Sequence, residues 1–331
     1  MFEERLRDWA AARGARLEIA GVEVVEEVLR KLEARRADGM IDAGFYQENL
    51  SWVKALEELG LSRSKRVVAV AVPSPIHVLP VKAGGRVIEA LIPPTYVRYK
   101  KTFDDVLADM KANALGEGEE AAVLKVPLKS LAVHMGLTAY GRNNITYAAG
   151  FGSGLQVLGY VVASPKWRAR KTKTGAWPEG MLAKCSTCRA CVKACPTGAI
   201  REDRFLLAAE RCFTLHSESR RPIPAWAKPP KSLCLIGCMD CQLVCPENKG
   251  RLKTAPSGME FTAEETEAVL EAGRRLEDGE GAGGAASLRA EAAWRSAWAK
   301  FDRLGLTEDL DVMGRNLGLF LKRRQGSWAL S

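Results

Sequence analysis

Cys185-Ser186-Thr187-Cys188-Arg189-Ala190-Cys191-Val192-Lys193-Ala194-Cys195-Pro196 places four cysteines in twelve residues and ends on a proline. In the pattern Cys-x2-Cys-x2-Cys-x3-Cys-Pro, three closely spaced thiolates hold three irons of one cubane, and the fourth reaches a different cluster. A second run, Cys238-x2-Cys241-x3-Cys245-Pro246, repeats the last part of the pattern. Two 4Fe-4S clusters need eight thiolates, and nine cysteines are present, all between Cys185 and Cys245. Structural zinc sites use separated Cys-x2-Cys pairs, four ligands to an ion. An odd cysteine count in so short a window also argues against a disulfide framework.

The crossed pattern predicts Cys185, Cys188 and Cys191 with Cys245 on cluster 1, and Cys195, Cys238 and Cys241 on cluster 2. A strict repeat would put the eighth ligand at Leu235, one residue after Cys234. Cys212, expected on a helix over Leu206–Phe213, is favoured over Cys234, which becomes the spare thiol. Two adjacent clusters imply electron transfer.

Working outward, the 331 residues carry 49 Lys+Arg against 40 Asp+Glu, net +9. Residues 163–254 hold 18 basic and 7 acidic side chains, net +11, and the remainder is at −2. Two oxidised four-thiolate cubanes would bring about −4, leaving the segment at about +7. Lys166-Trp167-Arg168-Ala169-Arg170-Lys171-Thr172-Lys173 is a candidate surface for nucleic acid or an acidic partner. No stretch approaches the ~18 apolar residues of a membrane helix. The N-terminus lacks a signal-peptide pattern. The expected setting is cytoplasmic, where thiols stay reduced.

Residues 1–60 read as helices, notably Val22–Arg36 and Phe45–Leu59, with apolar residues at three- and four-residue spacing. Lys65–Pro73, Arg86–Ile92, Ala121–Val126 and Leu155–Ala163 read as strands. Thr102–Ala114 and Pro127–Met135 read as helices, and Gly136–Gly154 as irregular. The alternation predicts an α/β domain over residues 1–163. An iron–sulfur domain over 164–254 and a helical segment over 255–331 complete the expected organisation. Helices are expected at Leu288–Leu304 and Thr307–Leu321, and a capping box at Thr262 and Glu265.

The order of α/β domain, Cys-x2-Cys-x2-Cys-x3-Cys-Pro, lone cysteine and Cys-x2-Cys-x3-Cys-Pro resembles epoxyqueuosine reductases and, more distantly, corrinoid reductive dehalogenases. Leu131-Ala132-Val133-His134-Met135-Gly136-Leu137-Thr138-Ala139-Tyr140-Gly141-Arg142-Asn143 is similar to the family's LAxxAGLGxxGKN stretch. Gly152-Ser153 before a strand, Arg98-Tyr99 before a helix, and Arg315-Asn316 add to the likeness. The resemblance implies a nitroreductase-like α/β domain that holds cobalamin beside one cluster, with a bacterial-ferredoxin-like double 4Fe-4S module and C-terminal helices. It also implies that Gly136, Leu137, Gly141, Arg142, Asn143, Gly152 and Ser153 line the corrin. Flavin is the alternative cofactor.

The implied activity is passage of low-potential electrons, from a donor such as a ferredoxin or flavodoxin, through both clusters to the cobalamin for reduction of an unidentified small-molecule substrate. The family's catalytic aspartate falls by spacing on Ala122, with Glu119 and Glu120 the nearest acids. The expected substrate is therefore not epoxyqueuosine, and tRNA becomes a secondary candidate. Tyr140, His134, Lys125 and Tyr96 are the candidate proton donors in place of the aspartate. The competing expectation is an electron-transfer or reactivating protein without a substrate of its own.

Overall fold

The computed structural model describes residues 2–54, 57–165, 167, 181–279, 288–306 and 310–327. Of the basic stretch 166–173, only Trp167 lies among them. The helices are α1 (Phe2–Ala11), α2 (Glu23–Ala37), α3 (Ala43–Asn49), α4 (Tyr99–Asn113), α5 (Leu128–His134), α6 (Ala190–Ala194), α7 (Phe213–Glu218), α8 (Asp240–Leu243), α9 (Ala263–Glu277), α10 (Leu288–Leu304) and α11 (Leu310–Ser327). The strands are β1 (Arg16–Gly21), β2 (Arg66–Pro73), β3 (Ile76–Ala83), β4 (Arg86–Ile92), β5 (Glu120–Val123), β6 (Ala139–Tyr140), β7 (Thr146–Tyr147), β8 (Leu155–Ala163) and β9 (Thr254–Pro256).

The main sheet has the order β1-β2-β8-β5, with every neighbouring pair antiparallel. Its centre is the pair β2 and β8, in register from Arg66↔Val162 to Pro73↔Leu155. Both strands are rich in Val, Leu and Ala, which is what burial of both faces requires. Strand periodicity sends alternate residues to opposite faces. Val68, Val70, Leu158, Tyr160 and Val162 pack with Leu6, Trp9 and Met110 from α1 and α4. Val67 joins Val24, Val25, Val28 and Leu131 from α2 and α5 on the other face. The alternating elements thus build a mixed α/β layer structure, but with an antiparallel sheet rather than the parallel one that alternation favours.

Within residues 1–60 the structure adds β1, which pairs with β2 from Arg16↔Ala71 to Gly21↔Arg66. Its sequence, Arg16-Leu17-Glu18-Ile19-Ala20-Gly21, alternates at period two, and this was hidden by the helical patterns on either side. Phe45–Leu59 is not one helix: α3 stops at Asn49, and a 3-10 turn covers Glu57–Leu59.

β3 is also absent from the sequence reading because Pro80 lies inside it. Pro80 lacks an N–H, yet its carbonyl accepts from the Phe261 N–H at 2.8 Å. Gly84 and Gly85, at φ +55° and +71°, turn β3 back into β4, a conformation that favours paired glycines. β9 adds in parallel to β3.

On this second sheet sit the C-terminal helices. Leu79, Val81, Ala90 and Ile92 share one core with Val269, Phe301, Met313 and Leu317. The Thr262–Glu265 capping box starts α9, with the Thr262 N–H donating to Glu265 Oε2 at 2.8 Å and the Glu265 N–H to Thr262 Oγ1 at 3.2 Å. Where α9 crosses α11, the backbones touch at Gly273 and Gly314: a Cβ on either would overlap main-chain atoms of the facing helix. Gly273→Ala is expected to lower stability by about 3 kcal/mol, the upper range for overpacking. Urea unfolding of the variant beside the parent measures this.

Candidate functional site

The cysteine region folds as short helical turns separated by extended residues. Cys195 and Cys245 each precede a proline, which disfavours helical backbone at the residue before it. Accordingly α6 ends at Cys195, with φ −67° and ψ 115°, and Cys245 adopts φ −73° and ψ 124°. Each therefore leaves the helical turn of its own run, and α6 and α8 lie against each other.

The sulfurs gather in two sets. Burial first, then the neighbouring Cys185, Cys245 and Cys188, push the Cys191 thiol up to about 11. Burial also raises Cys241, followed by Cys212, Cys191 and Cys195 as charged neighbours. Cys238 is raised by burial and feels Cys241. Cys191 thus neighbours Cys185, Cys188 and Cys245, Cys241 neighbours Cys212, Cys195 and also Cys191, and Cys238 feels Cys234 as well as Cys241. The coupling of Cys241 to Cys191 puts them side by side.

Cys212 is not on the helix expected over Leu206–Phe213. It occupies the extended N-cap position of α7, at φ −66° and ψ 127°, after a 3-10 turn at Ala209–Arg211. Cys234 lies instead in an apolar cluster with Ile76 and Met239, its thiol donating to Ser232 Oγ at 3.7 Å. Burial pushes it up to about 12. Cys234→Ala is expected to leave the iron content of the purified protein unchanged, as a colorimetric iron assay would show.

The glycine segment before β8 clamps this module. Arg142 donates to the Cys185 carbonyl at 3.0 Å and to the Glu202 carbonyl at 3.3 Å. Asn143 donates to Tyr147 Oη at 2.9 Å and to the Cys241 carbonyl at 3.5 Å. Asn144, at φ +54°, donates to the Phe205 carbonyl and accepts from the Leu207 N–H. Ser153 and Asn248 bond reciprocally: the Ser153 N–H donates to Asn248 Oδ1 at 2.8 Å, and Asn248 Nδ2 to Ser153 Oγ at 2.9 Å. A Cβ on Gly152 would strike Asn248 Oδ1, and one on Gly141 the Tyr147 ring. Tyr147, which the sequence reading did not single out, is buried, accepts from Asn143 and lies beside Cys245. Its signal was an aromatic four residues beyond the Gly-Arg-Asn motif.

A cavity of about 520 Å³ opens between the main sheet, the end of β4 and the cysteine module. Cys195, Cys212, Cys238 and Cys241 line it, all four of the second set. Its walls are largely apolar, with Pro94, Leu128, Leu155, Val157 and Phe213 prominent. Of the residues expected to hold a cofactor, Asn143 and Ser153 reach it, whereas Gly136, Leu137, Gly141, Arg142 and Gly152 are not among its lining. Leu137 packs with Ala69, Ala71 and Ala132, and Gly136, at φ +75°, has open space where a Cβ would be.

Three ionisable groups stand out in the cavity: Tyr96, Glu218 and Lys129. Tyr96 Oη donates to Glu218 Oε1. Burial, then Glu218, holds the phenol well above its ordinary value. Lys129, in the first turn of α5, is exposed and lines the cavity. Desolvation pulls its ammonium down, opposed first by Cys212 and then by Glu218 and Cys241.

The other candidate donors lie elsewhere. Tyr140 bonds Ser130 Oγ at 2.9 Å and lines a smaller neighbouring cavity of about 190 Å³, which Lys129 also borders. His134 Nδ1 meets the Ser130 carbonyl at 2.7 Å, and its ring lies among Lys31, Glu27 and Arg35. Lys125 is exposed, as is Ala122 on the edge strand β5.

Residues 184–248 match the family profile of the 4Fe-4S double cluster binding domain. The epoxyqueuosine reductase of Burkholderia pseudomallei is 35% identical over 132 residues, 40% of this chain and 31% of the relative. That of Escherichia coli is 42% identical over 66 residues, 20% and 17% of the two chains. The matched segments thus span less than a third of the length of these relatives. A crystal structure of a selenomethionine-labelled epoxyqueuosine reductase superposes with TM-score 0.61 at 18% identity, covering 99% of this chain and 83% of the other. The likeness is to epoxyqueuosine reductases, in sequence over part of the chain and in fold over nearly all of it. The fold also matches the Streptococcus thermophilus epoxyqueuosine reductase, at TM-score 0.62 and 14% identity over 96% of this chain and 80% of that one. A further match, at TM-score 0.56 and 17% identity over 91% and 81%, is an epoxyqueuosine reductase crystallised with an epoxyqueuosine-modified tRNA-Tyr stem loop. Among the described residues of this epoxyqueuosine reductase-like iron–sulfur protein, no helix is long and apolar enough to cross a membrane.

Proposed function

We propose that this protein is a reductase in which electrons reach the 520 Å³ cavity through two 4Fe-4S clusters and reduce a substrate held there. The observation that carries the reading is that one complete cysteine set forms part of the cavity wall. Cys185, Cys188, Cys191 and Cys245 hold the outer cluster. Cys195, Cys212, Cys238 and Cys241, on the cavity wall, would hold the inner one.

The lining suits a flat corrin ring. Pro94, Leu128, Leu155 and Val157 offer apolar surface for its face, and Asn143, Ser153 and Thr214 offer amide and hydroxyl groups for its amide side chains. Bound there, cobalamin would supply a low-valent cobalt centre of strong reducing power. The chain's own groups do the rest. Lys129 places a positive charge beside the inner set and favours the arrival of negative charge there. Tyr96, kept protonated by burial and by Glu218, holds a proton at Oη for the reduced product. It takes the role that the exposed Ala122 on β5 cannot fill.

The test is anaerobic reconstitution with iron, sulfide and cobalamin, followed by gel filtration. About eight irons per chain with a co-eluting corrin spectrum are expected. Eight irons without corrin would overturn the cobalamin assignment and leave an electron-transfer or reactivating protein. A tRNA substrate is a second reading, favoured by the net +11 of residues 163–254 and by the stem loop bound to one structural neighbour. Binding of a tRNA stem loop without salt dependence would contradict it.

A further inference from the structure

We infer that the face over Cys185 and Cys245 is the docking surface for an acidic one-electron-transfer protein. This rests on the two-cluster reading above and locates where its electrons enter.

The two cysteine sets differ in what surrounds them. The inner set looks into the cavity, which a substrate must share. The outer set lies beside exposed chain: Lys184 precedes Cys185, and Leu243 and Val244 lead into Cys245. Leu243 is 47% exposed and Val244 45%, two adjacent apolar side chains in water next to a ligand position.

Around them the charge is positive. Lys184, Lys249, Arg251 and Lys253 are all exposed. The acid among them is already committed: Glu247 takes Lys184 at 2.7 Å and Arg251 at 2.8 Å, and both cations hold its carboxyl below the usual carboxylate range. These ion pairs tie Cys185's neighbour to the segment after Cys245, and the exposed apolar pair lies immediately before Cys245 in the same stretch of chain. A small apolar centre with a one-signed charged rim suits a transient partner of opposite charge. The rim steers the encounter, and the apolar contact excludes water where the redox centres approach.

The transfer balances as single electrons. A flavodoxin hydroquinone gives up one electron to become the semiquinone, and one cubane takes it, its core passing from 2+ to 1+. In stopped flow with an acidic flavodoxin hydroquinone, the second-order rate for the reconstituted protein is expected to fall steeply with added salt. Lys249→Glu with Lys253→Glu is expected to slow it at least tenfold, Val244→Glu likewise, and Lys249→Gln with Lys253→Gln by a smaller factor. Dithionite, which needs no docking face, should reduce all of them at the parent rate, and iron content should be unchanged. A salt-independent rate in the parent, or parent-like flavodoxin rates in the charge-reversed variants, would overturn the assignment. Failure of dithionite to reduce the parent would instead overturn the two-cluster reading.

Discussion

Cys245→Ala is expected to lose the outer cluster while leaving the inner one, taking the iron content from about eight to about four per chain. The reason is the crossed arrangement. Cys245 lies in the second cysteine run, yet its sulfur neighbours Cys191 and Cys185 of the first. Cys195→Ala is the reciprocal case and should lose the inner cluster, whose other ligands are Cys212, Cys238 and Cys241. Iron analysis gives the count, and electron paramagnetic resonance of the dithionite-reduced variants identifies the survivor. In the parent, two nearby reduced clusters should interact magnetically; each variant should show a single, uncoupled signal. Uncrossed ligation would make Cys245→Ala destroy the cluster of Cys238 and Cys241, and the signals would be exchanged. Tyr147→Phe is a milder companion, since it removes only the hydroxyl that accepts from Asn143 beside Cys245.

Lys129→Met is expected to shift the inner cluster to lower potential. Reduction adds one negative charge, and a cation beside Cys212 and Cys241 stabilises it. Removing that cation makes the added electron less favourable, so the sign is downward. At an effective dielectric of about 20, two unit charges within about 10 Å of each other interact by at least ~1.4 kcal/mol. That is a tenfold change in the reduction equilibrium, or about 59 mV for one electron. Lys129→Arg keeps the charge and should stay near the parent value. A redox titration followed by paramagnetic resonance reads both without any substrate. An unchanged midpoint in Lys129→Met would remove Lys129 from the electrostatics of the site.

The reach of the sequence follows from how local each signal is. The cysteine spacings are local and carried the metal chemistry, because a cubane dictates ligand intervals within one turn of chain. The runs of Val, Leu and Ala at Arg66–Pro73 and Leu155–Ala163 likewise announced the central strands, since burial of both faces demands them. β1 and β3 were lost where a neighbouring helical pattern or an internal proline masked a short alternation. The Gly-Arg-Asn stretch shows a different limit. Its residue types suggest a close approach of backbone to something large. Only the fold shows that the something is largely the cysteine module itself, through Arg142 to Cys185 and Asn143 to Cys241.

Proton donors were the least legible. Tyr140, His134, Lys125 and Tyr96 are equivalent as letters, and only Tyr96 lines the large cavity. Its partner Glu218 lies 122 positions away, and Lys129 sits on a third element. Sequence by itself determined that residues 184–248 form a double 4Fe-4S binding segment, because ligand intervals around a cubane are short-ranged. Tertiary structure decided which set faces the cavity, which acid groups meet there and that Cys234 is a core thiol, because those depend on contacts between segments that no spacing records.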